Sequence, residues 1–438
     1  MKSYDRNKSR CPIPFVLRMI GGIAVICSLV IVPHTEANAA SISGESETIF
    51  RMQKIHDRNL YPLYEYLRLS GAGDFRGMGT VSFNAGGWGR VDLGDKSADS
   101  NPYGDLQYGY VSYGGNKDNL LINAGRQFIA EGVATERLDG LYLRSDLAAG
   151  FGAAAFVGSP VVTESNYKGG DITYGGRVSH GNLKYYSIGL SALRTDYDNS
   201  SIREEQGIDI WVQPLRQVDL SGRSSYNSIT SGWMEHAYTM TVTPVDKLRF
   251  IANLSQINYK DYFYQVTTSA LSLTNGLLNP KEDVLSLGGS LEYTPTKNLR
   301  VVADFKNYDY AVAGPAKYYG GKATFSLPEF GAAGVSIHRM DGEVDKLKFS
   351  EFRMFASKSI GKANLTLDFF DVQYDSPING IQSTYAVSAA VGYEVTPALQ
   401  VSGDVEYSRT TDSSNALAGL IKLVYRFDMN FGAEGRSK

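Results

Sequence analysis

The polarity of the chain alternates residue by residue in short runs, and this period of two restricts the fold more than any other feature. From 81–91 to 415–427 we count about twenty such runs, each of roughly ten residues, the length that a tilted strand needs to cross a bilayer. Successive side chains of a strand point to opposite faces, so each run predicts one apolar and one polar face.

The connections between the runs alternate in length with one phase. Links such as Leu215-Arg216-Gln217 and Pro397-Ala398 are tight, whereas 94–103, 163–170 and 260–283 are long and polar. Short turns at one rim and long loops at the other are typical of outer-membrane barrels. The fold class predicted is therefore all-β, a transmembrane antiparallel up-and-down β-barrel of about 20 strands (range 16–22), with short periplasmic turns and longer extracellular loops.

The first residues have the order of features of a secretory signal peptide. A basic segment (Lys2 to Arg10) precedes an apolar one (Met19 to Val32), and Ala37-Asn38-Ala39 offers a small-x-small cleavage site. The apolar segment is shorter than the roughly twenty residues of a spanning helix. We therefore expect residues 1–39 to be cleaved and the mature chain to lie in the bacterial outer membrane.

Removal of this segment changes the cysteine and charge counts. Both cysteines of the chain, Cys11 and Cys27, lie in it, so the mature chain has no disulfide and no covalent haem. The segment carries five basic and two acidic residues of the 43 and 46 in the chain, which leaves 38 and 44, a net charge of −6. This acidic balance argues against nucleic acid as a partner.

The remaining chain divides into three parts. Residues 40–78 are expected to form a periplasmic or lumenal lead-in that is partly helical, because Ile49, Met52 and Ile55 share one helical face. Residues 79–428 are predicted to form the barrel, and residues 429–438 a periplasmic tail.

Charged residues on the polar faces are the candidate functional residues. Their mixed signs predict a wetted pore without strong ion selectivity, although each one also fits a paired residue on a solvated wall. The pore-lining candidates are Asp219, Arg223, Arg249, Asp304, Lys306, Glu394, Asp404, Glu406, Lys422 and Arg426.

A second candidate is the charge-dense stretch Gly125–Arg144, interpreted as two strands and a loop of about ten residues. If this loop folds inward, Glu131, Glu136 and Arg137 would form a constriction.

The sequence gives no sign of catalysis. The histidines after the leader (His56, His180, His236 and His338) have no metal-binding spacing, and no Gly-x-Ser-x-Gly elbow is present. We expect no enzyme activity, no metal and no cofactor held by this chain.

Three segments, Gly125–Arg144, Trp233-Met234-Glu235-His236 and Val424-Tyr425-Arg426-Phe427, resemble outer-membrane channel proteins of about four hundred residues from metal-reducing bacteria. Members of that group are associated with porin–cytochrome conduits. The resemblance implies a channel, and further implies periplasmic and extracellular multihaem cytochromes as partners besides outer-membrane lipid.

Three functional hypotheses follow. The first is a porin-like channel for small hydrophilic solutes or ions, and the alternative is a sheath that holds a multihaem c-type cytochrome in an electron conduit. Neighbouring genes rich in CxxCH motifs, or haem that co-purifies with the barrel, would favour the sheath. The third is a receptor or adhesin that displays the loop Lys260–Asp283.

Overall fold

The computed structural model describes residues 37–431 apart from 56–57, 76–78, 97–100, 162–171, 183, 198–199, 263–281 and 412–414. Within these residues, no helix is long and apolar enough to span a membrane. One short helix, α1 (Tyr259–Tyr262), and two 3-10 turns, Ala148–Gly150 and Asp345–Leu347, accompany the strands. The strands are β1 (Ala37–Ile55), β2 (Arg58–Leu60), β3 (Pro62–Phe75), β4 (Gly79–Asp92), β5 (Tyr103–Gly114), β6 (Leu120–Glu131), β7 (Ala134–Asp146), β8 (Phe151–Pro160), β9 (Ile172–Asn182), β10 (Tyr186–Tyr197), β11 (Ser200–Leu215), β12 (Val218–Asn227), β13 (Gly232–Val245), β14 (Leu248–Asn258), β15 (Asp283–Thr296), β16 (Leu299–Tyr310), β17 (Gly314–Leu327), β18 (Gly331–Gly342), β19 (Lys348–Ile360), β20 (Ala363–Ile378), β21 (Ile381–Thr396), β22 (Leu399–Arg409) and β23 (Ala416–Phe431).

The strands form one closed antiparallel barrel of 22 strands, in which the three residues of β2 only extend the hairpin of β1 and β3. Consecutive strands pair with each other, and β1 pairs with β23 from Ala40↔Phe431 to Gln53↔Ala418 to close the wall. Closure leaves no sheet edge, so every strand has a hydrogen-bonding neighbour on both sides. The predicted fold class is confirmed.

The outer face of the barrel is an exposed apolar belt. On β15, Leu285, Leu287 and Leu291 are 41%, 57% and 40% exposed, and the same alternation recurs on β16 and β21 to β23. Such a surface is unfavourable in water and is stable against lipid tails. The chain is a multi-strand barrel of the bacterial outer membrane.

The two rims differ as predicted. Two-residue turns such as Arg216–Gln217, Asp246–Lys247 and Lys297–Asn298 connect strands at one rim, where β1 begins and β23 ends. The strand ends that are joined by long connections, including those of 93–102 and 259–282, lie at the other rim. The even strand number places both ends of the described chain at the rim of short turns.

The expected lead-in over 40–78 is wrong, because the described residues of this range form the strands β1 to β3, and β1 and β3 complete the wall. In β1 and β3 the sequence does not show a clear alternation of polar and apolar residues, because both faces of these strands carry polar groups. On the outer face, Ser46 and Thr48 donate hydrogen bonds to Glu65, each at 2.6 Å. The predicted end of the barrel at 428 is also early, since β23 continues to Phe431 opposite Ala40. The proposed cleavage segment lies almost wholly outside the described residues.

Candidate functional site in the lumen

All ten pore-lining candidates lie on the face opposite the apolar belt. On β16, for example, Asp304 and Lys306 alternate with Phe305, which is 50% exposed on the lipid side. The same alternation places the other eight in the lumen: Asp219, Arg223, Arg249, Glu394, Asp404, Glu406, Lys422 and Arg426. Their part in transport stays a prediction.

Several of these candidates are paired with residues outside the set of ten. Arg223 lies 2.6 Å from Glu235, Lys422 lies 2.8 Å from Glu47, and Arg426 lies 2.8 Å from Glu45. Asp304 contacts His338 at 3.2 Å, and Trp211 donates a hydrogen bond to Asp219 at 2.5 Å. Among the described residues, no ion pair joins two of the ten candidates.

The hairpin of β6 and β7 leaves the barrel wall. β6 pairs with β5 only through Leu121–Arg126, and β7 pairs with β8 only from Leu138 onward. The residues between, Phe128 to Arg137, pair with each other around a two-residue turn, Gly132–Val133. This segment, the inward hairpin, replaces the loop of about ten residues expected from the sequence.

The tip of the inward hairpin rests on the lumen face of β10 and β11. The Val133 amide donates a hydrogen bond to Ser191 Oγ at 3.0 Å. A Cβ on Gly132 would overlap the Ser191 side chain, and one on Gly207 would overlap Val133. Because β8 and β9 separate β7 from β10 in the wall, the hairpin crosses their inner faces.

An apolar cluster holds the hairpin down. Ile129 of the hairpin and Leu138 of β7, at the base of the hairpin, pack with Phe156 of β8 and Leu193 of β10, and none of the four is more than 4% exposed. Burial of a large apolar side chain stabilises by about 1.5–3 kcal/mol. Four such side chains give the hairpin a fixed position against the wall.

Each of the three predicted constriction residues has a partner. Glu136 forms an ion pair with Arg203 of β11, and Arg203 also binds Glu205 at 2.7 Å. Arg137 lies 2.6 Å from Asp105 of β5. The Tyr142 hydroxyl donates to Glu131 at 2.5 Å.

The sequence missed the wall residues that complete this site. Arg177 of β9 lies 4.0 Å from Glu131 and 2.6 Å from Asp209 of β11. Period-two alternation could have placed these side chains in the lumen. Only the closed barrel brings β9 and β11 to the hairpin.

A cavity of about 280 Å³ remains between the hairpin tip and the wall. Its lining combines charged side chains of both signs with the apolar side chains of Val133, Ile208 and Met234. Lining residues include Val133, Ser191, Arg203, Asp209, Arg223, Glu235 and Tyr262. No group of three or more metal-ligating side chains occurs in the described part of the chain.

No protein-family model matches the sequence, and no curated protein matches it. Solved structures with a similar fold include OccAB4 of Acinetobacter baumannii, with 8% identity, a TM-score of 0.47, and coverage of 91% of this chain and 100% of that one. The translocation pore of the P pilus usher PapC has 9% identity, a TM-score of 0.48, and coverage of 88% and 99%. The outer membrane protein OprD of Pseudomonas aeruginosa has 10% identity, a TM-score of 0.42, and coverage of 89% and 94%. Likenesses this distant carry no argument about function.

Proposed function

We propose that the barrel is a porin-like channel for small hydrophilic solutes or ions, and that the inward hairpin sets its width. The observation that carries this proposal is the hairpin tip seated on Ser191 and Gly207, several strands from its own place in the wall. A barrel of more than about 18 strands has a wide lumen, so a free diffusion channel needs an internal obstruction to be selective.

The charges around the hairpin support passage of hydrated solutes. Glu136, Arg137 and Glu131 face Arg203, Asp105 and Arg177, so both signs are present at the narrow point. Such pairs keep water in the pore and create a field across it without excluding either sign of ion. The channel as proposed needs no cofactor in this chain and no protein partner.

The inward hairpin weighs against the alternative of an electron-conduit sheath. It covers the inner faces of β8 and β9, and a multihaem cytochrome would need that space. We expect the purified barrel to be free of haem absorbance and to conduct ions alone.

The test is single-channel recording in planar bilayers. Replacing Phe128–Arg137 by Asn-Gly, a preferred two-residue hairpin turn, removes the inward hairpin and leaves Gln127 opposite Leu138, so that the wall pairing of β6 and β7 is kept. We expect conductance to rise severalfold. The control replaces the connection 342–347 at the same rim by Asn-Gly, which leaves Asp341 opposite Lys348, and conductance should stay that of the parent.

Equal conductance in the parent and the hairpin deletion would contradict the role of the hairpin. A barrel that inserts and folds yet carries no current would contradict the channel itself.

A further inference from the structure

Four aromatic side chains form a continuous cluster on the lumen wall of β3, β4 and β5. The ring centroids of Tyr64 and Tyr66 are 6.3 Å apart, and those of Tyr66 and Trp88 also 6.3 Å. Tyr64 lies 6.2 Å from Trp88, and Tyr103 meets Trp88 edge-on at 5.5 Å. We call these four residues the aromatic platform.

Strand register places the aromatic platform inside the barrel. Tyr66 lies opposite Glu47 on β1 and opposite Trp88 on β4. Glu47 forms an ion pair with Lys422, on the lumen face of β23. The rings therefore face water in the pore, although aromatic residues of such barrels are concentrated at the lipid interfaces.

The rings are neither buried in a core nor fully exposed. All four are partly accessible in the described structure, so their surfaces are open to a molecule in the pore. Apolar ring surface that faces water gains free energy when a ligand covers it.

Ion-paired residues flank the platform on both sides. On the β1 side, Glu47 pairs with Lys422, and Glu45 binds both Arg68 and Arg426 at 2.8 Å. On the β5 side, Asp105 lies directly opposite Trp88 in the register. Asp105 in turn contacts Arg137 of the inward hairpin at 2.6 Å and Arg126 at 3.5 Å.

An apolar strip between two polar rows matches one class of solute. A pyranose ring has a C–H face that stacks on an aromatic ring and a rim of hydroxyls that donate and accept hydrogen bonds. Carboxylates and guanidinium groups supply the acceptors and donors for that rim. Because the flanking charges are paired with each other, a neutral polyhydroxyl ligand fits better than an ion.

We propose that the aromatic platform binds saccharides as they pass through the pore. The proposal rests on the channel function proposed above and names the solute class of that channel. The platform supplies stacking, and the flanking pairs supply hydrogen bonds beside the inward hairpin.

Current block by maltohexaose, a linear glucose oligomer, tests the proposal in single channels. We expect concentration-dependent interruptions in the parent, and about tenfold weaker block in Trp88→Ala, the loss expected when about 1.4 kcal/mol of stacking is removed. The matched control is Trp233→Ala, because Trp233 is 51% exposed on the lipid face and should not change the block.

Tryptophan fluorescence gives a readout that does not depend on conductance. Trp88, Trp211 and Trp233 are the three tryptophans of the chain, so Trp211→Phe with Trp233→Phe leaves Trp88 as the reporter. We expect a saturable change in emission with maltohexaose, weakened by Tyr66→Ala.

The outcomes separate the two proposals. Absence of current with a fluorescence change would contradict the channel and support the platform. Normal current without block or fluorescence change would overturn the saccharide proposal alone. Block by tetraethylammonium but not by maltohexaose, or sugar block unchanged in Trp88→Ala, would also overturn it.

Discussion

Arg203 holds two carboxylates at once, and this makes it the most consequential single charge beside the inward hairpin. Its side chain is 16% exposed and that of Glu205 only 4%, so water screens this pair weakly. The third group, Glu136, belongs to the hairpin, so Arg203 joins the wall to the obstruction. An ion pair at such a site costs most when only one partner is removed.

We predict that Arg203→Met lowers the free energy of unfolding by about 3 kcal/mol, because it leaves the buried carboxylate of Glu205 without its cation and removes the partner of Glu136. Arg353→Met is the control, since Arg353 is 56% exposed beside Asp368 and an exposed pair contributes less than about 1 kcal/mol. Urea unfolding in lipid vesicles measures both. Equal losses in the two variants would contradict the prediction.

Residue positions within a strand could be predicted from the sequence, but residue partners could not. Alternation with Phe305 is enough to direct Asp304 inward, since a strand has only two faces. The contact of Asp304 with His338 joins residues on β16 and β18, and its geometry depends on how the barrel curves. Arg203 and Arg177 were missed for the same reason.

At the scale of elements, the inward hairpin is a feature that the alternation of polarity in the sequence does not predict. Its residues are regular strand up to Glu131 and again from Ala134, whereas the sequence pattern predicts a loop of about ten residues between two strands there. The hairpin departs from the wall where β6 loses β5 as a neighbour beyond Arg126 and β7 loses β8 before Leu138. The strands β1 and β3 were not predicted for the opposite reason. They pair regularly with each other, but polar groups on both faces hide the strand pattern in the sequence.

We predict that Gly132→Ala lifts the hairpin tip from the wall. Gly132 has φ +60°, and an added Cβ would overlap Ser191. We expect larger and noisier single-channel currents. Gly361→Ala is the matched control, because Gly361 has φ +58° with nothing within 4 Å of an added Cβ, and it bears the same backbone strain of about 1 kcal/mol.

A current that changes equally in both glycine variants would assign the effect to backbone strain alone. A change confined to Gly132→Ala would assign it to the contact between the tip and Ser191.

At the scale of the whole molecule, the barrel is stabilised by lipid outside and paired charge inside, with little core between. The apolar cluster under the hairpin is the one cluster of buried apolar side chains found among the described residues. The effect of a substitution on stability therefore depends more on whether the residue faces lipid or the lumen than on how deeply the residue is buried.

We predict that Leu287→Arg, on the lipid face, lowers the free energy of unfolding in lipid vesicles by about 2–4 kcal/mol, because it places a cation near the bilayer centre. Leu287 is 57% exposed to the outside. The neighbouring Ser286→Arg points into the lumen and should change stability little. A larger loss for Ser286→Arg would reverse our assignment of the two faces.

The pairing of β1 with β23 also sets an order of events in time. Every other pair of neighbouring strands in the wall is consecutive in the chain, whereas Arg426 meets Glu45 across 381 residues. Local hairpins form early, and a contact of such long range forms late because its loop entropy must be overcome first. During folding the barrel must therefore remain an open sheet, with β1 unpaired along its free edge, until β23 has formed and pairs with β1.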